Sequence, residues 1–512
     1  MLLRIIFALF LSIYSLEATG YQEKVTVLYN SLSPTSLTEL FAFYNLYPNT
    51  PAGEKAYHKA WELINLHRAI PVEPRKMQGF HFDINPIIAL VTRESYEESV
   101  LLTEAELDTI DLITSHLKNR TLKGKASWDT KEIINLPNQE IDLARGIFLY
   151  QFGKEDPLRI RSYEAYLDMM ALQILAKLPK NYTDIQALDA INQFIFHEMR
   201  YRFPPHSMWT EDVDLYTFLP SVLDSRHGVC LGVSILYLSL AQRIGLPLEI
   251  ITPPGHIYLS YQKEGKEINI ETTARGLNIP TEHYLGIDNK SLKRHKIKNV
   301  IGLNFMNAAA TAWHHKDYKL ALSFYQKAEH FLPNYPILTM FTAYNQLLSG
   351  NIKEGKKLLE TLRTNPIKES IYQDTIAEDY LMKNIDIEGI RVIFEEVDET
   401  RESVLKKQAA IQKVLKAYPK FREGIFHLAV TWLQLGRNKE AIECLKRYHN
   451  LDPTYPKVEY YLSALLMQRW SFKEAIHHLE VCKLLLEKHH YTPKLIEALE
   501  KDLRRNAPTH LL

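Results

Sequence analysis

The chain has few cysteines and no surplus of either charge. Only three of its 512 residues are cysteine, and 61 lysines and arginines balance 61 aspartates and glutamates. Because there is neither a basic surplus nor a basic block, the sequence does not predict nucleic-acid binding. An odd number of cysteines leaves at least one free thiol. Cys230 is our candidate for that thiol.

The spacings typical of metal sites are also missing. The sequence contains no Cys-x-x-Cys and no His-Glu-x-x-His, so it predicts no metal and no cofactor. Adjacent histidines occur at His314–His315, His477–His478 and His489–His490. Neighbouring residues on a helix face different ways, so these pairs do not indicate a metal site.

Long apolar runs are absent except at the start of the chain. Arg4 is followed by a mostly apolar run, Ile5–Leu16, and then by the small residues Ala18 and Gly20. This order is typical of an export signal, and the run is short for a membrane span. We predict a signal peptide over residues 1–20 and an exported mature chain, periplasmic or secreted, with no transmembrane span. An uncleaved anchor is the alternative.

Helical periodicity is clear in the next region, residues 21–84. The segments TSLTELFAFYNLYP and EKAYHKAWELINLHRAI carry apolar residues three and four apart, with Pro48, Pro51 and Gly53 between them. This pattern predicts two helices. Residues 118–137, which include NRTLKGKASWDTK, are expected to form an exposed loop.

Cys230 lies in the most informative stretch, RHGVCLGVSILYLSLAQRIGLP, which starts at residue 226. Its apolar residues at helical spacing are followed by Gly245 and Pro247, which predicts a helix that starts at or near Cys230. At a helix N-terminus, unpaired backbone N–H groups and the helix dipole favour an anion. The position therefore favours the thiolate, the nucleophilic form of cysteine.

His256 and Glu271 lie on two segments predicted to pair as strands. A tight turn at Glu264–Gly265 would place Leu259 opposite Ile270, with His256 and Glu271 on the opposite face, opposite or diagonal to each other. Their backbones are then about 5 to 8 Å apart. A carboxylate beside an imidazole orients it, and the imidazole can hold a cysteine as thiolate.

Each of these residues also has a structural interpretation. A cysteine at a helix start is often a packing residue, and a lone histidine on an amphipathic strand often only makes hydrogen bonds. Glu271 could be a solvated strand residue, and Asn269 on the same face could take over the orienting role.

The order cysteine on a helix N-terminus, histidine on the next strand and acid on the following strand resembles the transglutaminase-like superfamily of papain-type folds. The segments EIDLARGIFLYQFG at 140–153 and AINQFIFHEMRYRF at 190–203, with IGLP and PPGH after the cysteine, resemble its bacterial SirB-like branch. The resemblance covers residues 85–290 and implies an α+β domain that is largely helical with a small antiparallel sheet. The acid position carries Glu271, where the superfamily usually has aspartate.

The resemblance implies thiol-dependent acyl chemistry on an amide, either hydrolysis or transfer to an amine. Cys230 would be the nucleophile, His256 the general base and then acid, and Glu271 the orienting carboxylate. The oxyanion donor is left open between the backbone N–H of Cys230 and an upstream side chain such as Trp209 or Tyr216.

Residues 300–500 show a repeat of 34 residues. Small, aromatic and proline residues recur at the positions typical of tetratricopeptide repeats, at Ala321, Tyr325, Ala328, Pro333, Gly355, Leu359, Leu362, Leu428, Gly436, Ala441, Leu445, Pro453, Ala475, Leu479 and Cys482. We predict an all-α solenoid of four to five helical hairpins, with a degenerate unit between about 367 and 410. A disulfide between Cys444 and Cys482 is an open alternative.

Such an array usually binds a protein or peptide partner. It could also only brace the first domain. The rival to an enzyme is a non-catalytic interaction protein that keeps the transglutaminase-like fold.

Overall fold

The structure is a computed structural model that describes residues 20–72, 101–204, 216–398 and 400–508. By its internal contacts the chain divides into two compact units. The first contains the described residues up to Phe203 together with Phe218–Leu248. The second contains Pro204, Tyr216, Thr217 and the described residues from Glu249 onward. The domain boundaries predicted from the sequence stay predictions.

The first unit is largely helical in its described part, and its first described residues, 20–30, are helical as well. Its α-helices are α1 Leu37–Leu46, α2 Pro51–Asn65, α3 Glu104–Ile113, α4 Lys123–Ala126, α5 Thr130–Asn135, α6 Leu143–Phe152, α7 Pro157–Leu175, α8 Asp184–Asn192, α9 Leu219–Ser225 and α10 Cys230–Ile244. The first two occur where the periodicity predicts helices. Thr50 caps α2 by accepting a hydrogen bond from the N–H of Gly53, which satisfies one of the helix's unpaired donors.

The prediction of an exposed loop over residues 118–137 is wrong. This stretch contains a 3₁₀ turn at Lys118–Thr121 as well as α4 and α5. It is partly buried, because Lys125 reaches into the unit and donates to Glu164 at 2.6 Å. The charged residues of this stretch suggest a solvated loop, but one of them, Lys125, belongs to an internal ion pair.

Two buried carboxylates hold the long helices α6, α7 and α10 together. Glu164 of α7 accepts bonds from Arg145 of α6 at 2.7 and 2.8 Å. One turn later Asp168 accepts from Arg243 of α10 at 2.6 Å and also from Arg120. Both carboxylates are almost inaccessible to water. Buried charges are tolerated only when they are paired and hydrogen-bonded in this way.

The second unit begins with a small antiparallel sheet. Its strands are β1 Glu249–Thr252, β2 Tyr258–Lys263, β3 Lys266–Ile270 and β4 Lys293–His295, in the order β3-β2-β1-β4. The register is the predicted one, with Leu259 opposite Ile270 and Tyr261 opposite Ile268. The two-residue turn at Glu264 and Gly265 has positive φ at both residues, 52° and 77°. Such turns match the strand twist and determine the register.

Helical hairpins follow the sheet. The helices are α11 Ile297–His314, α12 Tyr318–Glu329, α13 Pro336–Leu348, α14 Ile352–Thr364, α15 Thr375–Leu381, α16 Ile387–Ile393, α17 Arg401–Ala417, α18 Arg422–Gln434, α19 Asn438–Leu451, α20 Pro456–Gln468, α21 Phe472–Glu487 and α22 Lys494–Asn506. Within this described region four pairs pack closely, α11 with α12, α13 with α14, α18 with α19 and α20 with α21. The helices α15, α16 and α17 occupy the stretch predicted to be degenerate.

The repeat residues have the roles that their spacing predicts. Ala321, Ala441 and Ala475 are fully buried where the helices of a hairpin approach each other. Cys444 and Cys482 are free thiols and form no disulfide. The predicted α+β fold with a small antiparallel sheet and a following helical repeat region is confirmed.

Within the described part of the chain, no helix combines the length and apolar character needed to cross a bilayer. The predicted export signal over residues 1–20 lies outside the described residues except for Gly20. The signal and the localisation stay predictions.

Candidate active site

Cys230 is the first residue of α10, as the periodicity predicts. The helix runs to Ile244 and ends at Gly245, whose φ is 86°. Val229 at the N-cap offers no side-chain acceptor, so the first N–H groups of the helix have no capping side chain. Cys230 is half-buried and forms no disulfide. The position provides backbone donors beside the sulfur, which favour negative charge there.

The segment before α10 is held by neighbours within the first unit. Gly228 donates its N–H to the carbonyl of Arg202 at 3.1 Å, and Arg202 donates its own N–H to Arg226 at 3.2 Å. The buried ring of His227 contacts the carbonyl of Ser225 through Nδ1 at 2.8 Å. These bonds determine where the chain enters the helix and therefore where Cys230 lies.

His256 lies in the second unit, in the turn between β1 and β2 and not on the strand. Its N–H donates to the carbonyl of Pro253 at 3.1 Å, and β2 begins only at Tyr258. Gly255 has φ of 70°, a conformation that costs other residues energy. Proline and glycine before the histidine thus bend the chain, which corrects the prediction of a strand position.

Glu271 follows the last residue of β3 and caps a 3₁₀ turn, Thr272–Ala274. Glu271 is only 3% exposed. Oε2 of its carboxylate lies 2.6 Å from Nε2 of His256. Oε1 accepts from the N–H and the hydroxyl of Thr273 at 3.1 and 2.6 Å. The structure therefore brings together two of the three predicted site residues, while Cys230 belongs to the other unit.

The carboxylate of Glu271 determines which nitrogen of His256 carries the proton. Burial alone would raise the pKa of Glu271, but the hydrogen bonds from His256, Thr273 and Tyr284 outweigh it and hold the pKa below its usual range. An ionised carboxylate can only accept, so Nε2 must donate. In the neutral ring the lone pair is then on Nδ1, the nitrogen that can take a proton from a nucleophile.

Tyr284 is a site residue that the sequence did not reveal. Its hydroxyl donates to Oε2 of Glu271 at 2.6 Å, and its ring stacks on His256 with centroids 5.8 Å apart and on Tyr258 at 4.3 Å. Burial and the bond to Glu271 raise the pKa of Tyr284. The residue comes from the irregular segment after β3, so no periodicity indicated it.

Asn269, the alternative orienting residue, has a different role. Its side-chain amide donates to the carbonyl of Ile279 at 2.8 Å and to Thr281 at 3.0 Å. Asn269 therefore anchors the segment that leads to Tyr284, and Glu271 is the residue that contacts the imidazole. Of the two side chains considered as oxyanion donors, Tyr216 is half-buried and Trp209 lies outside the described residues.

Tyr284→Phe should lower the free energy of unfolding at pH 7 by about 1.5 to 3 kcal/mol, the usual contribution of a hydrogen bond to a charged group. Because the pKa of Glu271 is depressed in the folded state, this contribution is present above the unfolded pKa of about 4.3. It is lost as pH falls through the lower folded value. Urea denaturation at pH 7 and pH 3 measures the difference.

Tyr258→Phe is the matched control. Its hydroxyl contacts Thr281 at 3.4 Å rather than the carboxylate, so its effect should be smaller and the same at both pH values. An equal, pH-independent loss in the two variants would contradict the assigned hydrogen bond.

Two family profiles match adjoining parts of the chain. Residues 161–293, which include Cys230, His256 and Glu271, match the sequence profile of the Transglutaminase-like superfamily. Residues 290–511 match the profile of the ChAPs, described as Chs5p-Arf1p-binding proteins. The chain thus carries a transglutaminase-like domain followed by a helical region of the tetratricopeptide type, and the predicted resemblance is confirmed at this level.

Individual relatives match shorter parts of the chain. F-box only protein 21 of Mus musculus is 30% identical over 87 residues, which are 17% of this chain and 13% of the relative, and the Homo sapiens protein is 29% identical over the same length. The chain therefore spans only 13% of the length of these curated relatives.

Solved structures that match the chain include a TPR protein and MamA. A thermophilic TPR protein of Thermus thermophilus is 17% identical, with a TM-score of 0.21, over 40% of this chain and 99% of its own. MamA of Desulfovibrio magneticus is 12% identical, with a TM-score of 0.19, over 37% of this chain and 97% of its own.

Proposed function

We propose that the chain is a thiol-dependent acyl-transfer enzyme with Cys230 as nucleophile, His256 as general base and acid, and Glu271 as orienting carboxylate. The observation that carries this proposal is the contact of 2.6 Å between Nε2 of His256 and Oε2 of Glu271, inside a segment that matches the transglutaminase-like superfamily. The half-buried helix-start position of Cys230 supports it as well.

The chemistry follows from these groups. Nδ1 of His256 takes the thiol proton, and the thiolate of Cys230 attacks the amide carbonyl. The carbon–nitrogen bond breaks, the amine leaves with the proton returned by His256, and a thioester remains on sulfur. Water then releases an acid in hydrolysis, or a second amine forms a new amide in transfer. Glu271 stabilises the imidazolium that exists between the two proton transfers.

We also propose that the enzyme acts after export, which the apolar run following Arg4 supports. The proposed substrate class is an amide. Hydrolysis and transfer use the same three residues.

A cavity in the helical region favours a second candidate function, the binding of a peptide partner. It has a volume of about 520 Å³, and its lining includes the apolar residues Leu359, Leu362 and Ile371 and the charged residues Arg422 and Asp452. This size is in the range of small-ligand sites. The alternative is therefore a non-catalytic interaction protein in which the helical repeats provide the function.

One experiment distinguishes the two candidates. The full-length protein is treated at pH 7 with p-nitrophenyl acetate, an activated acyl donor, and the acetylated residue is mapped by mass spectrometry. We expect a hydroxylamine-labile acetyl group on Cys230, lost in Cys230→Ala and retained in Cys444→Ala. Acetylation of Cys444 at the same rate, or no thioester at Cys230, would contradict the enzyme and favour the interaction protein.

A further inference from the structure

Three consecutive helices of the repeat region place two histidines around one buried glutamate. His449 is in the last turn of α19, Glu459 is in the first turns of α20 and His478 is in α21. Nδ1 of His449 lies 2.6 Å from Oε1 of Glu459, and Nδ1 of His478 lies 2.7 Å from Oε2. The two rings are almost perpendicular, with centroids 5.5 Å apart.

The three side chains of this cluster differ in burial. The side chain of Glu459 is fully inaccessible and that of His478 is 9% exposed, whereas that of His449 is 28% exposed. Among the described residues, the ion pairs of Glu459 are with these two histidines and with no lysine or arginine. A buried carboxylate without a permanent cation beside it is costly. A bound cation would remove that cost.

We propose that His449, Glu459 and His478 form a site for a divalent transition-metal ion, zinc. Two imidazoles and one carboxylate are a donor set that zinc uses, with a fourth position for water. One ligand atom from each residue lies within 4.8 Å of the others. The exposed edge of His449 gives the ion and its water a route from solvent.

The required movement is small. In tetrahedral coordination with zinc bonds of about 2.05 Å, two ligand atoms are separated by about 3.3 Å. The nitrogen–oxygen contacts of 2.6 and 2.7 Å must therefore open by about 0.6 Å. Each neutral imidazole that binds through Nδ1 moves its proton to Nε2, so the ligands release no net proton. The half-exposed His449 can make most of this shift, and the ion would then link α19, α20 and α21.

The sequence gives no indication of this site. His449 and Glu459 are ten residues apart, and Glu459 and His478 nineteen, which matches no metal motif. In the sequence His477 and His478 are only a pair of neighbours, and in the structure their side chains have different environments. His477 is exposed and His478 is buried against Glu459.

The test is a calorimetric titration of the full-length chain with zinc, in the Cys230→Ser background so that the proposed thiol site cannot contribute. We expect one zinc ion per chain. His449→Ala and Glu459→Gln should weaken binding at least about 100-fold, beyond the tenfold to 100-fold that loss of an outer-shell partner costs. His477→Ala, on the same helix, is the matched control and should bind as tightly as the parent. Replacement of zinc by cobalt should give the visible absorption of a tetrahedral site.

Glu459→Gln changes a fully buried side chain, so the variant that decides is His449→Ala, at a partly exposed position. Its helical circular dichroism should equal that of the parent while its zinc affinity falls. Absence of binding by the parent would overturn the proposal, and so would equal affinity in the parent and His449→Ala. Because the test does not use Cys230, its failure leaves the proposed enzyme untouched.

Discussion

His256→Ala should slow the acetylation of Cys230 by p-nitrophenyl acetate at pH 7 by about 10²- to 10⁴-fold, the range that a positioned general base contributes. Nε2 of His256 is held by Glu271 at 2.6 Å, so Nδ1 is the nitrogen in the correct state to accept the thiol proton. Without the imidazole, only the small thiolate fraction of an unassisted cysteine reacts. The rate is measured by release of p-nitrophenolate and by mass spectrometry of the Cys230 peptide.

The controls separate catalysis from folding. His283→Ala removes an exposed histidine that lies next to Tyr284 and should change the rate less than twofold. Glu271→Gln keeps the shape of the side chain but loses its charge, so its effect should be smaller than that of His256→Ala. If His256→Ala reacts within twofold of the parent, the imidazole does not serve Cys230.

Glu164→Gln should lower the free energy of unfolding at pH 7 by about 3 to 5 kcal/mol, because it leaves buried cations without their charge partner. Glu164 is 2% exposed and receives bonds from Arg145 and Lys125. Burial raises its pKa, but Lys125 and Arg145 outweigh burial and lower the pKa to about 2. Urea denaturation of the full-length protein, followed by circular dichroism, measures the loss.

The loss should depend on pH in a defined direction. The folded pKa of Glu164 is depressed from its ordinary value of 4.5, so its contribution is complete above that value and disappears as pH falls towards 2. At pH 3 the penalty should be about 2 kcal/mol smaller than at pH 7. Glu62→Gln, which breaks an exposed pair with Lys59, is the control and should cost less than about 1 kcal/mol. Equal losses in the two variants would contradict the ion-pair network.

The parts of this structure that local chemistry determines could be predicted from sequence. The turn at Glu264 and Gly265 leaves one register for β2 and β3, and Gly245 ends α10 because glycine adopts the left-handed conformation there at little cost. The small residues at 34-residue spacing predicted the hairpins because only small side chains allow that helix approach.

The parts that depend on distant contacts could not be predicted. Tyr284 reaches Glu271 from an irregular segment, and no pattern encodes the path of such a segment. His256 lies on a bend because Pro253 and Gly255 interrupt the strand that alternation alone predicts. His449 and Glu459 come together only because α19 packs against α20. Side chains brought together by tertiary packing leave no periodic signal in the sequence.

The most direct test of the central claim is the pH dependence of alkylation by iodoacetamide, measured separately for each cysteine by mass spectrometry. Burial raises the pKa of Cys444 to about 11 and that of Cys482 to about 12, so both should react very slowly at pH 6. If His256 holds Cys230 as thiolate, Cys230 should react nearly as fast at pH 6 as at pH 8. In His256→Ala its rate should instead be far lower at pH 6 than at pH 8, because an unassisted thiol is mostly protonated at pH 6. A wild-type Cys230 that slows tenfold for each pH unit, with no change in His256→Ala, would contradict the account.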